Sequence, residues 1–287
     1  MHCVILDGSS LAKKVIESVS KEAAGLEPKP HLVVIQVGDN EASTVYVRRK
    51  ADDCEKAGLK STVIKMPAKT TQKELLDKIA SLNADKGVHG ILVQLPLPKH
   101  IDEDAVITAV LPEKDVDGFH PLNAGRLLQG DSSGLVSCTP KGVIRMLEHY
   151  GIPIAGAHAV VVGRSNIVGK PLAQLLLNKD ATVTIAHSKT KNLEEITRQA
   201  DILAVGVGKP RFIKAGMVKD GATVIDIGIN RTDGKLIGDS DFDALCGKVR
   251  AISPVPGGVG PMTRAMLLEN LMLAYRMQQA SAKKKGK

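Results

Sequence analysis

Aromatic residues are scarce: the 287 residues include no tryptophan, three tyrosines and three phenylalanines. Proteins that bind single-stranded nucleic acid stack bases on aromatic platforms, and this chain has too few to build them. There are four cysteines, Cys3, Cys54, Cys138 and Cys246, scattered without CxxC spacing. That spread argues against a zinc site or a disulfide framework and for reduced thiols in a cytosolic protein. No stretch approaches the roughly 20 apolar residues of a membrane span. The first residues, MHCVILDGSSLAKK, do not read as a secretory signal, so no membrane partner is expected.

Charge is plentiful, with 39 Lys and Arg against 31 Asp and Glu, a net +8. Lys283, Lys284, Lys285 and Lys287 supply half of that excess. A terminal run of this kind (281–287) reads as a solvated basic tail rather than a nucleic-acid arm. The remaining positive charge suits small anions such as phosphates or carboxylates. Apolar residues make up 43% and charged residues 24%, the balance of a globular protein long enough for two α/β domains.

Short β-rich runs alternate with helical patterns. HLVVIQV (31–37), STVIKM (61–66) and VHGILVQL (88–95) read as buried strands in the first half. The second half repeats the scheme with HAVVVG from 158, TVTIA (182–186), DILAVGV (201–207), TVIDIGI (223–229) and VRAIS (249–253). Such alternation predicts parallel sheets joined by right-handed crossovers. The polar, turn-rich stretch PEKDVDGFHPLNAG (112–125) is expected to divide the halves. A last helix, roughly Thr263 to Met277, follows the stiff loop SPVPGGVGP and is expected to return to the first domain.

VVVGRSNIVGKP (160–171) is almost a dinucleotide-binding turn. Gly163 allows the sharp turn after the strand, and Gly169 lets the next helix approach the sheet. The amides at that helix start can hold a phosphate. Ser165, however, stands where the second glycine of G-x-G-x-x-G belongs, with a hydroxyl that can bond phosphate or ribose. The following strand ends in His187-Ser188-Lys189, without the acid that binds the ribose hydroxyl of NAD. Ser188 and Arg164 instead suit a phosphorylated ribose, which favours NADP, although Arg164 also reads as a solvated loop residue. Gly228-Ile229-Asn230 falls at a strand's carboxyl end, where open α/β sheets bind ligands, or forms a simple turn.

ASTVYVRRKADDCEKAGL reads as a helix stopped near Gly58. Val47, Ala51, Cys54 and Gly58 form a stripe of small residues facing the core. Tyr46 and Lys50, four apart, lie side by side at its margin. A lysine there either stays solvated or loses hydration, which favours the neutral amine and suits it to carrying protons. Tyr-x-x-x-Lys also occurs in short-chain dehydrogenases, but there the pair follows the glycine-rich turn; here it precedes it by more than a hundred residues. Gln94 in VQLPLP sits at a strand's carboxyl end. Asp115, Asp117 and His120 in PEKDVDGFHP raise the question of a metal, yet no matching ligand cluster occurs elsewhere, so none is expected. Asp117 fits better as a carboxylate receiving a ligand's N–H groups, or as a plain turn residue.

YVRRK, ILVQLPLP, PEKDVDGFHP, CTPKG, VVGRSNIVGKP and SPVPGGVGPMT, in this order and spacing, resemble the methylenetetrahydrofolate dehydrogenase/cyclohydrolase family over nearly the whole chain. The resemblance implies a catalytic, folate-binding domain (1–120, joined by helix 263–280) and a Rossmann NADP-binding domain (139–262). It implies NADP-dependent oxidation of methylene-tetrahydrofolate to the methenyl cation, then hydrolysis to formyl-tetrahydrofolate. Lys50 then matches the central acid/base, Tyr46 the residue stacked on folate, Gln94 the group positioning the lysine and Asp117 the holder of the pterin. Val93, Leu95 and the loop Pro256, Gly257, Gly258, Val259 and Gly260 match the folate lining. Gly163, Arg164, Ser165, Ser188 and Ile229 match cofactor contacts. The Ser-for-Gly change is then the family's own turn. A homodimer and a cytosolic address are implied as well. Competing readings are a dehydrogenase lacking hydrolysis, a silent NADP-binding protein, or another two-domain NADP oxidoreductase acting on a keto acid.

Overall fold

The computed structural model describes residues 3–285, without the side chains of Ala42 and of 283–285. The chain forms two compact units. One takes the residues up to Lys13 with Thr139–Thr263, and the other takes Lys14–Cys138 with the residues from Arg264 onward. The division after Cys138 falls beyond the stretch 112–125 that the sequence marks as a divider. Within that stretch Pro121–Leu128 forms a helix, with proline in its first turn and the His120 ring accepting the Leu122 amide.

The unit Lys14–Cys138 holds a three-stranded parallel sheet, with His31–Val37 between Lys60–Met66 and Gly90–Val93. All seven residues of the central strand are buried, as a β-branched run covered on both faces should be. At the edge, Lys60–Met66 stays largely open, with Ile64 and Met66 packing on the core. That core gathers Val33, Ile35, Leu75, Ile79, Ile91 and Val106 from the sheet and from the helices Gln72–Ala84 and Glu103–Ala109. Both helices start at side-chain caps. Thr71 and Glu74 form a reciprocal capping box, and Asp102 accepts the amides of Asp104 and Ala105.

The last helix is longer than the sequence predicts, running Val259–Lys285. Pro261 falls in its first turn, where the amide has no intrahelical partner to lose, so the glycine-rich loop passes into helix earlier than its prolines suggest. From Arg264 onward it packs with the first half of the chain, as expected. The Asn270 amide group donates to Val116 O (2.9 Å) and Val136 O (2.8 Å), and Gln278 donates to His89 O (2.8 Å). Arg276 pairs with Glu22, and the Tyr275 ring meets His89 edge-on at 4.8 Å. Helical backbone continues through Lys285 of the expected basic tail; Lys287 and the side chains of Lys283, Lys284 and Lys285 lie outside the described residues.

The other unit is a six-stranded, all-parallel sheet. Its order is Val4–Ile5, Ala251–Ile252, Thr223–Asp226, Ile202–Val205, His158–Val162, Thr182–Ala186. The chain starts the repeat at His158–Val162, steps to Thr182–Ala186 on one side, then crosses to Ile202–Val205 on the other. That reversal places a crevice at the carboxyl ends of His158–Val162 and Ile202–Val205. Among the described strands, three escape the sequence reading: the edge strand Val4–Ile5, and Asn230–Thr232 with Lys235–Ile237, which form a hairpin. The hairpin turns at Asp233-Gly234, both at positive φ, a dipeptide that marks such turns.

Asn270 is fully buried and satisfies two carbonyls that flank the Asp117 segment. Leaving buried carbonyls without donors costs about 1–3 kcal/mol each. Asn270→Ala is expected to lower the unfolding free energy by about 2–4 kcal/mol in urea denaturation, and a change below about 1 kcal/mol would show the amide to be dispensable.

Candidate active site

Asn40 starts the helix Glu41–Lys56 by accepting the Ser43 amide (3.0 Å). Its buried face runs through Ser43, Val47, Lys50, Asp53, Cys54 and Ala57, whereas Gly58, placed in the stripe by the sequence reading, is exposed beyond the helix end. Lys50 therefore lies within the buried face, 9% exposed, rather than at its margin. Tyr46, one turn earlier, is half-buried. The helix is tied down by the Asp53–Arg264 ion pair (3.0 Å), and burial pushes the Asp53 carboxyl upward against the pull of Arg264.

A buried ammonium needs acceptors, and Lys50 Nζ donates to Gln94 Oε1 at 3.2 Å. Gln94 follows directly on the strand Gly90–Val93. Its backbone amide extends the ladder to Ile35 O (2.8 Å), and its side-chain amide donates to Leu95 O (2.6 Å). With its amide NH₂ engaged there, the Gln94 carbonyl oxygen is left to face the lysine. Asp117 completes the group. Burial raises its carboxyl above the usual range, and the Lys50 charge pulls it back. The structure thus brings Lys50 and Gln94 together, with the Asp117 carboxyl near enough to feel the lysine's charge.

Asp117 sits on a segment with little freedom. Gly118 adopts φ +73°, and a Cβ there would lie 2.4 Å from the Ser137 amide. Asp115, one residue before Val116, accepts the His120 amide (2.8 Å) and the Asn123 side chain (3.0 Å). Lys114 Nζ donates to Leu82 O, Asn83 O and Asp85 O at 2.7–3.0 Å. Asp115 and His120 thus brace the loop. Among the described residues, no group of three or more His, Cys, Asp or Glu side chains is arranged to hold a metal ion.

In the other unit, Gly163 ends the strand His158–Val162 at φ +127°, and a Cβ there would lie 2.5 Å from Gly206 O across the crevice. Gly169 opens the helix Gly169–Leu177 so close to the strand end that its Cβ would meet Gly163 O at 2.2 Å. Ser165 Oγ accepts the Val168 and Gly169 amides at 3.2 and 3.3 Å. The hydroxyl oxygen that the sequence offered to a ligand is thus engaged with the helix start, while its proton remains free to donate. Arg164 and Ser188 are exposed just beyond Val162 and Ala186, which are partners in the sheet register. Ile229 lies 46% exposed beyond the strand Thr223–Asp226.

The sequence reading missed what shapes the loop Pro256–Gly260. Asp7 caps the helix Gly8–Ala23, accepting the amides of Ser9 (2.9 Å) and Ser10 (3.1 Å). The Ser9 amide also reaches Gly257 O (2.9 Å), and a Cβ on Gly8 would lie 1.9 Å from Gly258 O. The D-G-S-S sequence at the amino end carries a recognisable cap signal, but nothing in it names the distant loop as its partner.

Two family models match in succession. Residues 6–117 match the tetrahydrofolate dehydrogenase/cyclohydrolase catalytic domain, and 137–279 match its NAD(P)-binding domain. The chain is 56% identical over 280 residues to the bifunctional protein FolD of Campylobacter concisus, covering 96% of this chain and 99% of the relative. It belongs to the tetrahydrofolate dehydrogenase/cyclohydrolase family. Among solved structures, the FolD dehydrogenase/cyclohydrolase of Campylobacter jejuni superposes with a TM-score of 0.94 at 48% identity, covering 96% of this chain and 99% of that one. The Trypanosoma brucei family member, solved with NADP and an inhibitor, superposes at 0.92 with 37% identity, covering 96% and 98%. The Gly163 and Gly169 cradle, the donor left on Ser165 and the exposed Arg164 and Ser188 fit the phosphates of such a dinucleotide.

Burial pushes the Asp115 carboxyl up to about 6, against the hydrogen bonds from His120 and Asn123. Because the folded value is raised, the folded chain holds a proton between about pH 4 and 6 that the unfolded chain has released. This contribution therefore falls as pH rises through that window and is constant above it. Compared with Asp115→Asn, the wild type should lose up to about 3 kcal/mol of relative stability between pH 4 and 6, measured by denaturation across pH. A parallel pH dependence in the two proteins would refute the assignment.

Proposed function

We propose that this protein is a bifunctional folate one-carbon enzyme. It oxidises 5,10-methylenetetrahydrofolate to 5,10-methenyltetrahydrofolate with NADP, and hydrolyses the product to 10-formyltetrahydrofolate. The observation that carries this reading is the buried Lys50 held by Gln94 beside Asp117, in a chain whose relatives bear the bifunctional name. Bound NADP supplies the hydride acceptor.

Lys50 is the acid/base group. Hydrolysis of a cationic methenyl carbon requires a proton to leave the attacking water, and a general base within hydrogen-bond reach serves that step. Gln94 fixes Nζ through its carbonyl oxygen, which accepts an N–H of the neutral amine as well as of the ammonium, so the lysine's lone pair meets the attacking water from a set direction. Asp117 receives N–H groups of the pterin. Tyr46 offers a flat ring for stacking, and Val93, Leu95 and Pro256–Gly260 line the folate. The two glycines at 257 and 258 let backbone come close to a planar heterocycle. Gly163, Arg164, Ser165, Ser188 and Ile229 hold NADP, with Arg164 and Ser188 on the ribose phosphate.

By the same family reasoning the protein works as a homodimer in the cytosol and supplies one-carbon units for purine, histidine and methionine biosynthesis. No described helix is long and apolar enough to cross a membrane.

The primary test follows NADPH formation from methylenetetrahydrofolate, with NAD in parallel and the formyl compound as end product. Turnover that stops at the methenyl stage would reduce the protein to a dehydrogenase, and none with either cofactor would leave a silent binder. Lys50→Met is expected to lower hydrolysis by about a hundredfold or more while NADP affinity persists; undiminished hydrolysis would remove Lys50 as the base. Arg164→Ala should raise KM for NADP by about tenfold and leave KM for NAD within about twofold, since one charge-assisted contact to the extra phosphate is lost. Equal effects on both cofactors would place Arg164 elsewhere.

A further inference from the structure

Asp226 and Asp239 are two buried carboxylates close together in the NAD(P)-binding unit, with no basic side chain donating to either among the bonds they receive. Asp239 accepts three successive amides, Val207 (2.5 Å), Gly208 (2.8 Å) and Lys209 (2.8 Å), and the Asn230 side chain (2.8 Å). Successive backbone N–H groups turned to one point form an anion seat. Here the chain fills that seat with its own carboxylate.

Asp226 stands behind it at the end of the strand Thr223–Asp226. It accepts the amides of Gly228 (3.0 Å), Asp239 (2.9 Å) and Ser240 (2.7 Å). Each carboxylate is closed in by a glycine. A Cβ on Gly228 would lie 2.1 Å from Asp239 Cγ, and one on Gly238 would lie 2.1 Å from Asp226 Oδ2. The pair therefore locks together three segments: 206–209 after one strand, 227–230 after the next, and the end of the hairpin at 237–240. The first borders the crevice, since Gly206 O faces Gly163, and the second packs against it, where a Cβ on Gly206 would lie 3.5 Å from Ile227 Cβ.

We propose that Asp239, backed by Asp226, is a positioning residue of the cofactor site. It holds the two crevice loops in the shape that receives NADP and denies the cofactor's phosphates the anion seat at Val207–Lys209, leaving them the seat at the start of the helix Gly169–Leu177. Asp239 does not touch the cofactor; it acts through the loops. The inference rests on the NADP site described under the proposed function, and wild-type turnover with NADP is the control that tests that site by itself.

The experiment compares wild type with Asp239→Asn, Asp239→Ala and Asn230→Ala. NADP is varied at saturating methylenetetrahydrofolate, and hydrolysis of added methenyltetrahydrofolate is measured without cofactor. Asp239→Asn should raise KM for NADP by about tenfold or more, with kcat at saturating NADP and the hydrolysis rate within about twofold of wild type. In Asp239→Ala, added formate should occupy the vacated seat and return KM toward the wild-type value, a rescue that simple loss of stability would not give. Asn230→Ala, which keeps the carboxylate and removes one of its four donors, should raise KM by about threefold. An unchanged KM for NADP in a folded Asp239 variant overturns the proposal. So does a loss of both activities without formate rescue together with an unchanged KM in Asn230→Ala.

Discussion

A charged group taken out of water must find partners at its new position, and the organisation of both units follows from that requirement. Lys50 is placed on the buried face of its helix by the same periodicity that buries Val47 and Cys54. Once there, its ammonium fixes the orientation of Gln94, and Gln94 in turn uses its NH₂ on the backbone of the next residue. The parallel sheet matters because its strands all end on one side, so Gln94 emerges at the edge where a ligand can reach. Asp117 arrives from a neighbouring segment held by Lys114, Asp115 and Asn270, each buried and each satisfied mainly by main-chain or amide groups. The rigidity of the group therefore comes from polar anchoring as much as from apolar packing, which favours a set geometry over maximal stability.

What the sequence discloses and what it conceals divide along physical lines. The buried strands, the turn at Gly163 and the helix of Lys50 are local patterns of period 2 or 3.6, and such patterns can be read within a dozen residues. The strand TVIDIGI ends at Asp226, three residues early, because the Asp226 carboxylate takes the Gly228 amide and turns the chain. Gly58 leaves the small-residue stripe because the helix stops at Lys56, and residues past its end no longer follow the helical period. The brace from Gly8 and Ser9 to Gly257 and Gly258 spans some 250 residues of sequence, and no local pattern encodes it. The hairpin, by contrast, carries a local signal in the Asp233-Gly234 dipeptide at its turn.

Lys50, Gln94 and Asp117 are legible in the sequence as separate candidates, and only the family resemblance joins them there. Residues in a site are selected for chemistry, so each looks ordinary in its own segment: a helix lysine, a strand-exit glutamine, a turn aspartate. Asp226 and Asp239 stayed invisible for the opposite reason. An Asp at a strand end and another after a hairpin are both common turn residues, and the three amides that converge on Asp239 belong to a loop some 30 residues away.

Ser165 and Asp239 are two answers to one problem. The carboxyl edge of a parallel sheet presents clusters of unpaired amides, at helix starts and in loops, and each cluster attracts an anion. Asp239 closes one cluster with the chain's own carboxylate, held by four donors. Ser165 occupies another with a neutral hydroxyl oxygen at 3.2–3.3 Å, a weaker bond that leaves the helix dipole uncompensated and the hydroxyl proton free. In the proposed cofactor site, a phosphate approaching this edge finds the first seat filled and the second open to it. The serine that replaces glycine in the turn thus leaves a hydroxyl donor for the phosphate of the proposed cofactor site. It organises the helix start in advance, and in the proposed site the contrast between the two fillers leaves an anion one seat among several that the fold creates.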